Sequence, residues 1–325
     1  GNVTDFEPDG TAGVWIGSHS PALGNAGGVP VGGLTYIAFD AWQRISLESL
    51  GGAAISDAWV DENQELWLGL ASDPRSGLEG GLWRYRPAQP ARPGRWVRVM
   101  GLLDGDVRDL WGDGQGNMWV ATAAGVNRVA LQSRGLFSYT LPLGPDRIAG
   151  DATGSPWAVT LGEAGGVWRW NGRLWGQQTP RPGADGVVYN DVLMAGDGRV
   201  FLAGDSGLDI WHDGKWERFS ALPGRQVRRM WQDSTGDLWL SSEITPGRPF
   251  NLSLNQGQRW EAVLTEKDTG TMGAEALALL RDRAGRVWLG TLAGLYAYES
   301  GGETKWHSVG PVEGLDAGPV TALYE

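Results

Sequence analysis

Residues Ala276–Glu299 read ALALLRDRAGRVWLGTLAGLYAYE. An apolar run leads into Asp282-x-x-Gly285-x-x-Trp288, followed by Leu289-Gly290-Thr291, a short gap, and Gly294-Leu295-Tyr296. Asp and Gly at that spacing suit a tight hairpin. Asp bonds its own backbone two residues on, and Gly tolerates positive φ. Trp288 then opens the second strand as a large apolar anchor.

The same unit recurs along the chain. It stands as Asp61-x-x-Gln64-x-x-Trp67, Asp113-x-x-Gly116-x-x-Trp119, Asp151-x-x-Gly154-x-x-Trp157 and Asp233-x-x-Gly236-x-x-Trp239. Two copies are degenerate: Asp9-x-x-Ala12-x-x-Trp15, and Ala195-x-x-Gly198-x-x-Phe201, which lacks the Asp. The anchors at 15, 67, 119, 157, 201, 239 and 288 are spaced by 52, 52, 38, 44, 38 and 49 residues. A period of about 40–50 residues is that of propeller blades. Each unit divides into four strand-like pieces, as in Val107–Trp111, Asn117–Thr122, Gly125–Ala130 and Leu136–Thr140. The reading is all-β: a seven-bladed β-propeller of four-stranded antiparallel blades. The alternative is eight blades with one split or partial blade, because Pro319–Glu325 reads as a further innermost strand. The whole of 1–325 is taken as one domain, with repeats near 2–52, 53–105, 106–145, 146–186, 187–225, 226–275 and 276–317. The anchor residues are expected to be buried, and most of the hairpin glycines to have positive φ.

Composition agrees. Of 325 residues, 52 are Gly and 19 Trp, which suits short strands and frequent turns; there is no Cys, hence no disulfide or thiolate metal site. The formal charge of −11 and the lack of a basic stripe argue against a nucleic-acid partner. No apolar run approaches the ~18 residues of a membrane span. The opening Gly1 reads as a processed start or a boundary, compatible with a removed signal peptide.

The segments LRDRAGRVWLGTLAGLYAY at 280–298 and LWGDGQGNMWVATAAGVNRV at 110–129, with weaker copies at 230–240 and 58–69, resemble the two-component regulator propeller repeat. The resemblance covers essentially the whole chain. It implies a bacterial periplasmic or extracellular sensor region, ordinarily one part of a larger signalling chain.

The longest insertions fall between the second and third pieces of a unit: Ser18–Gly33, Ala71–Gly80 and Ser242–Pro249. On a seven-unit ring they gather on one side of one face, joined by Thr265–Glu275. Irregular loops on a rigid scaffold are where binding tends to sit. His19, Glu79, Glu243 and Arg248 are the candidate ligand-binding residues. The partner is read as a small molecule or glycan, or a protein, on this loop face. Acidic residues there, among them Asp73 and Glu79, leave Ca²⁺ open, but no Asp-x-Asp-x-Asp loop is present and no cofactor is expected. A second set is a column in the first strand of each unit: Asp5, Asp57, Asp109, Arg147, Asp191, Arg229 and Ala278. Asp5, Asp57, Asp109, Asp191 and Arg229 either line a central channel or latch neighbouring blades. Trp59, Trp111 and Trp231, which end first strands, pack against a neighbour or stack a sugar.

Catalysis finds little support. The three His, His19, His212 and His307, lie in different repeats, and neither a Gly-x-Ser-x-Gly elbow nor a phosphate loop occurs. The antibiotic-linearising lyases share the propeller form and a Gly-Trp rhythm, but their His and Glu set finds no counterpart. The expectation is a non-catalytic ligand-binding sensor. The alternatives are a propeller lyase or glycan-cleaving enzyme, and a protein-binding scaffold.

Overall fold

The structure, a computed structural model, describes 2–8, 13–19, 33–38 and 41–45 as backbone only. It describes backbone and side chains over most of 55–85, 95–178, 187–219, 226–242, 252–255, 275–281, 285–298 and 306–307, and little more than backbone over 259–264. Arg248, most of Ser18–Gly33 and Ser242–Pro249, Thr265–Ala274 and Pro319–Glu325 lie outside the described residues. His19, Glu243, Asp5 and Trp15 are placed on strands by backbone alone.

Among the described residues, seven four-stranded antiparallel sheets form, each from four consecutive strands. Sheet one is β1–β4 (Asn2–Pro8, Gly13–His19, Gly33–Ala38, Ala41–Ile45) and sheet two β5–β8 (Ala54–Val60, Leu66–Ala71, Gly81–Arg86, Arg95–Val99). Sheet three is β9–β12 (Val107–Gly112, Asn117–Thr122, Gly125–Ala130, Leu136–Thr140) and sheet four β13–β16 (Arg147–Gly150, Pro156–Thr160, Gly166–Trp170, Trp175–Gln178). Sheet five is β17–β20 (Tyr189–Met194, Val200–Gly204, Gly207–His212, Lys215–Phe219). Sheet six is β21–β24 (Gln226–Gln232, Leu238–Glu243, Asn251–Gln256, Arg259–Leu264). Sheet seven is β25–β28 (Ala276–Arg281, Val287–Thr291, Gly294–Tyr298, Trp306–Ser308). No helix among the described residues is long and apolar enough to cross a membrane.

The Asp-x-x-Gly-x-x-Trp motif acts as a clamp at the first hairpin. In sheet two, Asp61 Oδ1 accepts from the backbone N–H of Asn63 and Glu65, while Oδ2 accepts from the Trp67 indole at 3.0 Å. Asp113 does the same for Gln115, Asn117 and Trp119, and Asp233 for Thr235, Asp237 and Trp239. One carboxylate thus closes the turn and fixes the anchor's rotamer. The Gly three residues on has φ of +82, +73, +88, +86 and +83° at Gly116, Gly154, Gly198, Gly236 and Gly285, where a Cβ is strained.

Burial follows from the place of each strand. The second strand of a sheet is covered on both faces: β14 and β18 are buried throughout. The fourth strand is an edge, and β12 and β20 are half-buried to exposed. Trp67, Trp119, Trp157, Trp239 and Phe201 are buried.

The chain divides into two compact units. The first comprises Gly1–Gly150, Gly154–Thr160 and Trp168–Gly176. In it Trp67 packs with Val107, Leu110, Met118 and Val120 of sheet three, and Trp119 with Ile148, Ala158, Trp168 and Trp170 of sheet four. Trp59 and Trp111 lie directly over Gly112 and Gly150 of the following first strand, so packing accounts for both indoles. The second unit comprises Asp151–Thr153, Leu161–Val167 and Gln177–Glu325. There Phe201 packs with Val227, Met230, Leu238 and Leu240 of sheet six, and Trp239 with Ala276, Leu279, Val287 and Leu289 of sheet seven. In these pairs the anchor covers the sheet that follows in the chain. In sheet seven Trp288, expected to be buried, is half-buried.

Candidate functional site

The first-strand column is occupied by structure in both units. Asp57 Oδ2 accepts from the Leu110 N–H and Asp109 Oδ2 from the Ile148 N–H, each at 2.6 Å; Asp191 Oδ2 accepts from the Met230 N–H at 2.8 Å. Every acceptor reaches the residue just after the column position of the next first strand. These carboxylates latch sheet two to three, three to four, and five to six. Arg229 lies 4.0 Å from Glu275, and the Arg147 guanidinium donates to the carbonyl of Asp146.

Sequence reading missed the residue just before the column. Ladder register slips there, so Arg108, Asn190 and Arg228 each sit at a bulge, a device that re-aims a side chain. In the first unit Arg108 donates to Asp106, to Asp146 at 3.0 Å and to the Gly144 carbonyl. In the second, Asn190 donates to Asp205 and to the Val227 carbonyl, with Arg228 3.9 Å from Asp205. Asp106 also accepts from the Ser72 N–H, and Ser72 Oγ from the Gly80 N–H, which pins both ends of the Ala71–Gly80 insertion. Glu79, next to its pinned Gly80 end, is 83% exposed and lies 3.5 Å from Arg98. Of the four candidate ligand-binding residues, Glu79 alone has a described side chain.

A cavity of about 590 Å³ opens between sheets five and six, both in the second unit. Phe201, Leu208, Ile210 and Phe219 of sheet five and Leu238 of sheet six form its apolar walls; Asp197, Arg199, His212, Glu217 and Asn255 supply polar groups. It sits beside the degenerate hairpin. Ala195 cannot clamp, and the turn closes through the Ala195 N–H to the Arg199 carbonyl and the Gly198 N–H to the Ala195 carbonyl. Asp197 accepts instead from Arg199, at 2.7 Å from Nε and 2.6 Å from Nη2. That side-chain hydrogen bond holds the Asp197 carboxyl below the usual carboxylate value, with burial pulling the other way. The Arg199 guanidinium also lies 5.1 Å from the Phe201 ring. The readable signal was the loss of both clamp partners in one repeat, at Ala195 and Phe201.

His212 Nδ1 lies 3.3 Å from Asp213, with side chains 52% and 86% exposed. That pair stands at the surface, with His212 at the rim of the cavity. Among the described residues no three His, Asp or Glu side chains converge as a metal set would.

No family model matches the sequence, and no curated protein matches it significantly. Solved structures do share its fold. The extracellular domain of the hybrid two-component system protein BT3049 from B. thetaiotaomicron is similar at 18% identity and a TM-score of 0.63, over 92% of this chain and 39% of that one. That of BT4673 gives 17% and 0.64, over 92% and 38%. Virginiamycin B lyase from Staphylococcus aureus gives 12% and 0.61, over 91% of this chain and 93% of that one. The chain spans about two fifths of the length of the two-component domains. By its sheets and its clamped hairpins alike, this chain has the β-propeller fold of extracellular domains of hybrid two-component systems, the kind of protein its repeats resemble.

Proposed function

We propose that this chain is a non-catalytic, ligand-binding sensor propeller of seven blades, working outside the cytoplasm within a larger signalling chain. The carrying observation is the fold likeness to extracellular domains of hybrid two-component systems, spread over 92% of the chain. In this reading the blades are a rigid mount. Their carboxylates are spent on turns and latches, and recognition of a small molecule or glycan falls to the loop face of Ser18–Gly33, Ala71–Gly80, Ser242–Pro249 and Thr265–Glu275. His19, Glu79, Glu243 and Arg248 supply its polar groups. The test is to trim Ser18–Gly33 and Ser242–Pro249 to short turns and screen both proteins on an oligosaccharide array, with thermal melts alongside. The melts should stay close to the parent's and capture should be lost. Capture that persists with both loops gone overturns this placement.

The likeness to virginiamycin B lyase, which spans nearly the whole of both chains, favours a second reading as a lyase. Incubation with quinupristin separates the two. The sensor reading expects its chromatographic retention to stay constant, and a ring-opened product would establish the lyase.

A further inference from the structure

A sheet's outer strand leaves one row of backbone N–H and C=O groups without a ladder partner, and proteins guard such edges with charge or by keeping the strand short. The outer strands β4, β8, β20 and β24 each carry an arginine. β16 and β28 carry no Lys, Arg, Asp or Glu, but span only four and three residues. β12 has neither guard. It runs five residues as LFSYT, uncharged, with two aromatics and a β-branched Thr that suit a strand, and it ends its sheet.

The open edge of β12 can be read residue by residue. At the hairpin before it, the Ala130 N–H donates to the Gly135 carbonyl. Direction alternates along a strand, so Phe137 and Tyr139 turn their backbone groups to β11, and Leu136, Ser138 and Thr140 turn theirs outward. Among the described residues none bonds those outward groups. The side chains beside the edge are apolar on both faces. On one, Phe137 is 44% exposed with the Arg128 guanidinium 4.4 Å from its ring, and the Tyr139 ring lies 4.8 Å from that of Trp170. On the other, Gly101 lies against Leu136, and Met100 next to it is 74% exposed.

We propose that β12 pairs antiparallel with β12 of a second copy of this chain, about a two-fold axis through Ser138. The strand's own pattern selects that register. It sets Ser138 against Ser138 and Leu136 against Thr140, so every outward residue donates and accepts across the axis. Phe137 then faces Tyr139 of the other copy at a non-hydrogen-bonded pair, where side chains lie closest. Symmetry repeats that aromatic pair, and the contact is self-complementary and closed. A second copy is favoured over a foreign strand because this register leaves no outward group unmatched and opposes no like charges. The charge of −11 on each copy resists association at long range, so the dimer tightens as salt rises. A contact of five residues a side is small, and its Kd is expected on the order of 0.1 mM.

The test is sedimentation equilibrium of the full chain from about 10 µM to about 1 mM, at about 0.05 and 0.5 M salt. The mass should climb from one chain towards two, and do so at lower concentration in the higher salt. Thr140→Lys, an exposed change that sets a cation against Leu136 of the other copy, should weaken the dimer at least about tenfold; Thr140→Val should leave it within about twofold. Cross-linking reads the register itself, because the chain has no Cys. Ser138→Cys places one thiol opposite its own counterpart with Cα atoms about 5.5 Å apart, inside disulfide range. Under mild oxidation it should link at least about tenfold faster than Glu217→Cys, an exposed site on the guarded β20. Circular dichroism checks that each variant keeps its β signal; should one unfold, the parent's mass and the remaining variants decide. A single-chain mass up to about 1 mM, a dimer that Thr140→Lys leaves unchanged, or equal cross-linking rates would each overturn the proposal. A chain that stays monomeric yet binds a synthetic Gly135–Leu141 peptide would overturn it too, and would give the edge to a foreign strand.

Discussion

At the scale of single residues, the motif's Asp is worth more than a turn former. Asp233 Oδ2 receives the buried Trp239 indole N–H at 2.8 Å and lies 3.1 Å from Arg281 Nε, while Oδ1 holds the turn. Asp233→Ala leaves the indole N–H buried without an acceptor and should cost about 1–3 kcal/mol. A lowered urea midpoint at unchanged slope would record it. Gly285 has open space around its Cβ position but a φ of +83°, so strain alone penalises a side chain there. Gly285→Val should destabilise by roughly 1 kcal/mol or more, read from thermal melts. Asp197 gives a pH signature. Its folded carboxyl titrates below the unfolded value, mainly because Arg199 hydrogen-bonds it. The stabilisation it contributes is therefore present above the ordinary carboxylate pKa and is lost as pH falls through the depressed folded value. An NMR titration of the Asp197 carboxyl carbon should show the depressed midpoint, and Arg199→Gln should return it towards the ordinary one.

At the scale of elements, neighbouring first strands are tied by side chain to backbone. Each of Asp57, Asp109 and Asp191 accepts an N–H from the next first strand. Asp109→Ala should orphan the Ile148 N–H and cost about 1–3 kcal/mol, while Asp109→Asn, which keeps an acceptor, should cost less. Chemical denaturation of the two variants side by side measures the difference. A column engaged in this way has little left to offer a channel ligand. The fourth strands answer a different need. They are sheet edges, and in sheet five Lys215, Glu217 and Arg218 put charge along one, which discourages pairing with another chain.

At the scale of the whole molecule, charge sets the class of partner. A chain at −11 repels a phosphate backbone, since nonspecific nucleic-acid binding is carried by cationic side chains that release counterions. Duplex DNA should show no shift in a gel assay at about 0.1 M salt, whereas a basic protein of this size would retard it.

What the sequence determined by itself was the repeat and its hairpins. The clamp is local: Asp, Gly and anchor lie within seven residues, and the Asp233–Trp239 bond spans six. Local bonds leave a periodic trace, so strand bounds such as Asn117–Thr122 and Leu136–Thr140 could be read directly. The Asp column was visible as a column but ambiguous in role, because its acceptors meet donors 39 to 53 residues away. Only packing of one first strand against the next decided for the latch. The bulge row of Arg108, Asn190 and Arg228 was illegible because an extra residue breaks the period that a sequence reader follows. The insertions could be read as lengths, but irregular loops have no repeat from which to infer geometry. The cavity needed the tertiary structure most. Ala195 and Phe201 announced a missing clamp, but a cavity is space that neighbours fail to fill, and Leu238 and Asn255 enter its wall from another sheet.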